Sequence, residues 1–421
     1  MEIKIHRGTD QIGGNIVEIS SDVPETRIIL DCGRNLPPLD DPKAPDNIEI
    51  EGLTYGDSTY DAVFVTHHHA DHCGLLGRVN NDIPIYMSDV TKGVLEVISD
   101  FIDSRPLLAV ETVKEGQDIF IRGMKITPFK VDHSAKGAVM YLVEADGKRL
   151  LYTGDFNGIA EEEYASLGKI DAMLCEGTNI EIMNDKTEEN VQLDAENIMK
   201  QTKGQVFVLC STTNINRIQA IENACKNSKR KMAIDPFMKA VLKEVKYELS
   251  EKPVGFVPYG IDEEEKPRTY KHFNSRDFLG LDKFVKEKDL TLMVRQSMGG
   301  FLEKLCAKKA GLSYKTMKEL GDLMPTLIER KPLSDSTLIY SIWSGYKETE
   351  RTREFLNLCH NLGMEIKDLH VSGHAYRAQL EAAIKRIDPD ILIPIHTING
   401  NAFDDLHKNV VKLNGDKQII L

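Results

Sequence analysis

Long apolar runs are missing from this chain: no stretch of its 421 residues approaches the roughly 20 consecutive apolar residues needed to cross a bilayer, which excludes a helical membrane-spanning role. The opening Met1-Glu2-Ile3-Lys4-Ile5-His6-Arg7 lacks the apolar core of a secretory signal, so the expected compartment is the cytoplasm. Cysteine is sparse and unpatterned. There are seven, an odd number with no C-x-x-C, which argues against a disulfide framework and for reduced thiols. Positive charge is also in short supply, with 53 Lys and Arg against 66 Asp and Glu and a net charge of −13. A phosphate backbone favours a basic surface, so a nucleic acid would have to be met in a cleft where cations are concentrated locally. The basic run Lys226-Asn227-Ser228-Lys229-Arg230-Lys231 reads equally well as a solvated helix end. Repeats and low-complexity tracts are absent. What remains is a globular composition, 41% hydrophobic and 28% charged, at a length suited to about two or three domains.

The most informative segment is Ala62-Val63-Phe64-Val65-Thr66-His67-His68-His69-Ala70-Asp71-His72, an apolar, β-branched run ending in metal-capable side chains. His67, His69, Asp71 and His72 fit the pattern H-x-H-x-D-H. Alternation along an extended stretch sends His67 and His69 to one ion, while Asp71 and His72, after a turn, reach a second beside it. Imidazole and carboxylate donors suit zinc, with manganese or iron compatible by ligand type. His68, in the middle of the run, leaves a shifted register as the alternative. A four-residue cluster cannot fill two coordination shells, so further donors are expected at other strand ends. Phe129-Lys130-Val131-Asp132-His133-Ser134 alternates as a strand and stops at His133. A hairpin turning at Asp146-Gly147 leads into Lys148-Arg149-Leu150-Leu151-Tyr152-Thr153-Gly154-Asp155, placing Asp155 to bridge two ions. Asp390-Ile391-Leu392-Ile393-Pro394-Ile395-His396 is a buried-strand run ending in another histidine. Cys32 and Cys73 lie near these motifs but off the ligand pattern and read as small buried hydrophobes.

Up to about residue 195 the sequence reads as strands with short connections, beginning with Asn15 to Ile19 and Arg27 to Asp31. From about 200 to 345 it alternates strand and helix. Gln205 to Cys210, Lys231 to Ile234, Leu292 to Arg295 and Thr337 to Ile342 read as buried strands, and Pro236 to Ser250 and Gly300 to Ala310 as helices, the rhythm of a parallel sheet with crossover helices. An amphipathic helix from Glu348 to Leu362, a strand into His374, a helix from Tyr376 to Ile387 ended by Pro389, and the strand into His396 complete the chain. Tyr376, Leu380, Ala383, Ile384 and Ile387 form one apolar stripe that reads as core. Asp262-Glu263-Glu264-Glu265-Lys266 reads as a solvated loop.

In order along the chain, Asp31 in Leu30-Asp31-Cys32-Gly33, the His67 to His72 cluster, His133, Asp155 and a late histidine resemble the five motifs of the metallo-β-lactamase superfamily. Leu174-Cys175-Glu176-Gly177-Thr178-Asn179 resembles motif A of the β-CASP nucleases, Leu369-His370-Val371-Ser372-Gly373-His374 motif B, and Pro394-Ile395-His396-Thr397 motif C. Within that group the chain is most similar to the ribonuclease J family, through Asn214-Ile215-Asn216-Arg217-Ile218-Gln219. The similarity runs over essentially the whole length. It implies an α/β protein: a metallo-β-lactamase αββα sandwich with an inserted β-CASP domain, a parallel sheet flanked by helices. The sandwich would take residues 1–198 and 347–421 and the β-CASP domain 199–346, with the active site in a cleft between them that admits one strand of RNA. The resemblance also implies that His67, His69 and His133 hold one divalent ion, that Asp71, His72 and His396 hold the other, and that Asp155 bridges them.

The expected activity is a metal-dependent ribonuclease, a phosphodiester hydrolase working 5′ to 3′ as an exonuclease, with endonuclease activity as a second capacity. Two divalent ions, zinc by preference with manganese as the alternative, activate a hydroxide that attacks phosphorus in line. Asp71 orients the hydroxide, and His374, tuned by Glu176, is the general acid for the leaving oxygen. Ser372 and Gly373 offer a hydroxyl and a backbone N–H to a substrate phosphate, and Ser297 lines a pocket for a neighbouring one. A homodimer is one option for the assembly, but not an expectation through the C-terminal domain that carries dimer contacts in bacterial members, because the chain ends about 25 residues after His396. Rival readings are a DNA nuclease, a thioester or lactone hydrolase, and a catalytically silent scaffold. The third is disfavoured by the intact ligand set.

Overall fold

The computed structural model describes residues 1–37, 46, 48–102, 104, 106–183, 186–258, 279–413 and 417–421. The acidic stretch expected as a solvated loop, Asp262 to Lys266, lies outside the described residues. The chain divides into two compact units: Met1–Ser99, Ser104–Asp185 and Ser372–Leu421 form one, Asp100–Asp103 and Lys186–Val371 the other.

In the first unit the chain lays down β1 (Glu2–Arg7), β2 (Ile16–Asp22), β3 (Glu25–Leu30), β4 (Ala62–Phe64), β5 (Ile85–Ser88) and β6 (Val110–Val113), followed by β7 (Ile119–Ile121), β8 (Met124–Lys130), β9 (Val139–Ala145), β10 (Lys148–Tyr152) and β11 (Ala172–Glu176). The second unit supplies β12 (Val206–Leu209), β13 (Lys231–Ile234), β14 (Val254–Gly255), β15 (Leu290–Val294), β16 (Thr337–Tyr340) and β17 (Glu365–Asp368). The chain then returns to the first unit with β18 (Ile391–Ile395) and β19 (Lys417–Ile420). The first unit contains two mixed sheets, ordered β19-β1-β2-β3-β4-β5-β6 and β18-β11-β10-β9-β8-β7. Ile3, Ile19, Ile28, Leu30 and Phe64 of one meet Ile126, Tyr141, Val143, Tyr152, Leu174 and Ile393 of the other in one buried cluster. Each sheet therefore buries one face against its partner, and helices cover the outer faces. Leu380, Ala383 and Ile384 of the helix Arg377–Ile387 pack on Leu142, Leu151 and Met173, so the apolar stripe expected there is core. Together these layers make the αββα sandwich that the sequence implied. The expected tight turn at Asp146-Gly147 is present, with both residues at positive φ as the two-residue hairpin requires.

The sheet of the second unit runs β14-β13-β15-β12-β16-β17, and every pairing in it is parallel. Its central strands β12, β15 and β16 are buried throughout, as expected where helices cover both faces, whereas the edge strand β17 is largely exposed. Three readings of the sequence differ from the structure. The segment to residue 195 is not all strand, since Asp89–Phe101 and Glu188–Gln201 are helices. The helix expected from Pro236 to Ser250 stops at Glu244, where Lys246 turns left-handed. The strand expected to run into His374 ends at Asp368. Beyond it, Ser341 Oγ donates to the Leu369 carbonyl at 2.5 Å and Arg217 Nη2 to the Val371 carbonyl at 3.0 Å, so side chains replace ladder partners. Arg217 is wholly buried and also forks onto Glu188 at 2.7 and 3.0 Å. The unit boundaries fall at 185/186 and 371/372. They differ from the expected 198/199 and 346/347 because the helices Glu188–Gln201 and Glu350–Asn361 and the strand β17 belong to the second unit.

Candidate metal centre

Every donor expected from the sequence in the first unit sits just past the carboxyl end of a strand. Past β4 the chain bends at Thr66, His68 and His69, not extended as the sequence suggested, and turns at Ala70–Cys73, a single helical turn that carries Asp71 and His72. That turn is tied to the loop after β3 by backbone bonds from Cys32 to His72 and from Arg34 to Ala70, each 2.8 Å. β8 leads to His133, β10 to Asp155, β11 ends on Glu176, and β18 leads to His396. Strand ends on two facing sheets thus bring together residues more than 300 positions apart.

The donor atoms fall into groups whose members lie within 4.8 Å of one another: His67, His69, His133 and Asp155 in one, Asp71, His72, Asp155 and His396 in a second. Asp155 belongs to both. A third grouping joins Asp155, Glu176, His374 and His396. His68 is in none of them; it is buried, with neither ring nitrogen hydrogen-bonded, and burial pushes it down to about 3. His67 Nε2 is likewise buried without a hydrogen bond, and His72 Nε2 and the Asp155 carboxylate, 3.0 Å apart, have no partner outside the cluster. Unsatisfied buried polar atoms are destabilising, by about 1–3 kcal/mol each in ordinary settings, so a cluster of them converging on one point needs a partner. A divalent cation fits: the atoms are borderline nitrogen and hard oxygen donors, and they converge around a shared carboxylate.

The far nitrogens of these rings are held from behind. Asp31 Oδ2 lies 2.7 Å from His72 Nδ1, Thr66 Oγ1 3.0 Å from His67 Nδ1, and the Gly373 carbonyl 2.8 Å from His133 Nδ1. Asp31 is further fixed by the Thr66 backbone N–H at 2.7 Å and the Tyr152 hydroxyl at 2.8 Å, and it sits at positive φ. Such outer partners fix the tautomer that leaves the inner nitrogen free to ligate. Burial and neighbouring imidazoles hold His67 and His133 well below the ordinary histidine range, and burial brings His69 down to about 4 against the pull of Asp71 and Asp155. His72 goes the other way: burial opposes a charge, but Asp155 and Asp31 flank the ring and hold it well above that range. Asp155 itself, despite burial, is held well below the usual carboxylate range by His396, His72 and His374. A proton on His72 between two carboxylates is the charge that a divalent ion would supply instead.

Glu176 is fully buried and faces His374, with Oε1 3.2 Å from His374 Nδ1. Burial would push His374 down, but Glu176 and Asp155 outweigh it and push it up to about 9. Ser372 Oγ accepts from the His374 backbone N–H at 3.3 Å. At Gly373 a Cβ would meet Ser134 at 2.5 Å, so the glycine permits a close approach of two loops, and its carbonyl is turned to His133. Ser297 lies in the second unit, half-buried in the turn Gln296–Met298 after β15. One residue at the centre was left unassigned by the sequence reading. Thr178 Oγ1 is 2.8 Å from His396 Nδ1 and 3.2 Å from His374 Nδ1, and only its place two residues after Glu176 hinted at it.

Fold and donor set together define a metallo-hydrolase built on an αββα sandwich. Comparison with known proteins agrees. A family described as "Beta-lactamase superfamily domain" matches residues 26–204, and one described as "Zn-dependent metallo-hydrolase RNA specificity domain" matches residues 360–399. The chain is similar to ribonuclease J of Mycoplasma genitalium, 25% identical over 92% of this chain and 66% of that protein. It is likewise similar to ribonuclease J of Sinorhizobium meliloti, 22% identical over 92% and 67%. An RNase J-like protein of Methanocaldococcus jannaschii is 29% identical over 42% of each chain. A crystal structure of a protein of unknown function from Enterococcus faecalis V583 shares the fold over 100% of this chain and 99% of its own, with a TM-score of 0.74 and 20% identity. The chain belongs to the metallo-β-lactamase superfamily and, within its β-CASP group, is ribonuclease J-like. It spans about two thirds of the length of the ribonuclease J relatives it matches. Among the described residues no helix is long and apolar enough to cross a membrane.

Proposed function

We propose that this protein is a metal-dependent ribonuclease that hydrolyses phosphodiester bonds of single-stranded RNA, working 5′ to 3′ as an exonuclease and cleaving internally as a second capacity. The observation that carries the reading is the pair of donor groups sharing Asp155, whose buried inner atoms have no partner outside the cluster. His67, His69 and His133 would hold one ion, Asp71, His72 and His396 the other, and Asp155 both; zinc suits these donors, and manganese is the alternative. When bound, two such ions acidify water and neutralise charge on the phosphate oxygens.

The chain's own residues do the rest. Asp71, with Oδ2 3.2 Å from His396 Nε2, orients the nucleophile by accepting a hydrogen bond. His374 presents Nδ1 to Glu176 and keeps the opposite edge of its half-buried ring for the leaving 3′ oxygen. A group pushed up to about 9 is protonated at neutral pH and can donate that proton as a general acid. Ser372 and Gly373, beside His374, are the proposed phosphate contacts, and Ser297 is a proposed RNA contact of the second unit. The cytoplasm, where seven cysteines stay reduced, is the proposed compartment, and a homodimer the proposed assembly.

The test compares 5′-monophosphate, 5′-triphosphate and 5′-hydroxyl RNAs of one sequence with Zn²⁺ or Mn²⁺, with His374→Ala as control. Single-nucleotide products with preference for the monophosphate support the exonuclease, and internal fragments insensitive to the 5′ group support the endonuclease. Hydrolysis of a lactone, a thioester or DNA with no RNA cleavage would overturn the assignment.

A further inference from the structure

The outer partners of the ligating imidazoles are of different kinds: a carboxylate for His72, a hydroxyl for His67, a backbone carbonyl for His133. At His396 the partner is the hydroxyl of Thr178, and the same oxygen also reaches His374. We propose that Thr178 is a positioning residue whose single hydroxyl fixes the ring orientation and tautomer of both His396 and His374. It would thereby tie the Asp71, His72 and His396 subsite to the proton donor. The proposal rests on the metal-centre reading above.

The argument is one of hydrogen counting. His396 turns Nε2 inward, 3.2 Å from Asp71 Oδ2 and 3.7 Å from Asp155 Oδ1; without an ion Nε2 carries the hydrogen it donates to Asp71, whereas ligation requires a lone pair on Nε2 and therefore a hydrogen on Nδ1. That Nδ1–H points at Thr178 Oγ1, 2.8 Å away, which must accept. His374 Nδ1, 3.2 Å from Glu176 Oε1, also carries its hydrogen, because a carboxylate can only accept. Thr178 Oγ1, 3.2 Å from the same nitrogen, is again an acceptor. A hydroxyl has two lone pairs and one hydrogen. Both lone pairs are then used on the two rings, and the hydrogen is directed to the His396 carbonyl at 3.5 Å. This carbonyl is brought round because His396 adopts a left-handed backbone, φ 55°. The loop is pinned at its other end by the Thr178 backbone N–H, which donates to Glu176 Oε2 at 3.1 Å. Every hydrogen-bonding capacity of the threonine hydroxyl is committed, and no other side chain is recorded against His396 Nδ1 among the described residues.

The experiment uses Thr178→Val, which keeps the shape and removes the hydroxyl, and Thr178→Ser, which restores it. Binding of Mn²⁺ and Zn²⁺ to the full chain is measured by titration calorimetry, and the hydrogen bonding of His396 Nδ1–H in the Zn²⁺-loaded protein by ¹⁵N-histidine NMR. The expected result for Thr178→Val is one ion bound with affinity lowered on the order of 10- to 100-fold, the usual effect of losing an outer partner of a ligating histidine. The other ion keeps its wild-type affinity, the His396 Nδ1–H loses its hydrogen bond and exchanges faster with water, and Thr178→Ser recovers both properties. Wild-type affinity for both ions in the valine variant overturns the proposal, as does equal weakening of both, which marks a merely structural role. If the wild-type protein binds no divalent ion at all, the metal-centre reading fails and the proposal with it. If metal binding responds as expected while no variant or wild type cleaves RNA, only the proposed substrate is wrong.

Discussion

Asp155 is the residue on which the electrostatics of the centre turn. Its carboxylate lies within 4.0 Å of a ring nitrogen of His67, His72, His133, His374 and His396, nearest to His72 Nε2 at 3.0 Å. Asp155→Ala therefore removes the shared donor of both groups. Both ions should be lost to dialysis and RNA cleavage should fall by on the order of 10³-fold or more. Elemental analysis of the purified variant checks the first expectation, and full metal content would contradict the bridging role. His374→Ala separates chemistry from metal binding, because His374 is the expected proton donor rather than a ligand. Its metal content should match wild type while kcat falls by about 10²- to 10⁴-fold, the range typical of a lost general acid. A leaving group that needs no proton, such as a p-nitrophenyl phosphodiester, should recover most of that loss. Without such recovery, the general-acid role is wrong.

At the scale of elements, the sandwich carries an ionic network that shares no residue with the metal centre, on β1, β2 and β3 with Tyr60. Glu18 of β2 accepts from His6 at 2.8 Å, from Arg27 at 3.0 Å and from Tyr60 at 2.8 Å. Burial alone would raise its carboxyl, but these partners outweigh it and bring it down to about 2. A carboxyl lowered on folding stabilises the native state above its unfolded value, about 4.3, and that contribution is lost as pH falls towards 2. Urea unfolding of wild type should lose stability through that window. Glu18→Gln should be less stable at neutral pH by about 1–3 kcal/mol and show a shallower acid slope; parallel slopes would mean that the network contributes nothing.

The same scale shows what the sequence could reveal. His67, His133, Asp155 and His396 were legible because each follows a β-branched or aliphatic run, and a strand delivers its next residues to the sheet's end whatever lies around it. The helix Glu188–Gln201 was not legible: its hydrophobic face is narrow, with Val191, Ala195 and Met199 the buried positions. The overlong strand into His374 misled because Leu369 and Val371 look like strand core, whereas a buried arginine 154 positions before Val371 captures their segment. Thr178 and the left-handed turns at Asp31 and His396 depend on contacts with distant chain and left no local trace.

For the whole molecule, the acidic balance of −13 means that a phosphate would be met through cations held at the centre, where Asp71, Asp155 and Glu176 are gathered. Metal should therefore be a structural ligand as well as a reagent. An ion that binds only the folded state, held at ~100 times its dissociation constant, adds about 2.7 kcal/mol to stability. The gain is confined to the unit that binds it unless the units open together. Hydrogen exchange read by mass spectrometry, with and without a chelator, tests this directly. On chelation, protection should drop in the turn Ala70–Cys73 and in the loops after β8, β10 and β18, whose backbones carry the donors. Amides of β12, β15 and β16, in the parallel sheet of the other unit, should exchange at unchanged rates. Uniform loss across both sheets would instead mean that the two units open as one cooperative body, and no change anywhere would mean that the donors hold no ion that matters to the fold.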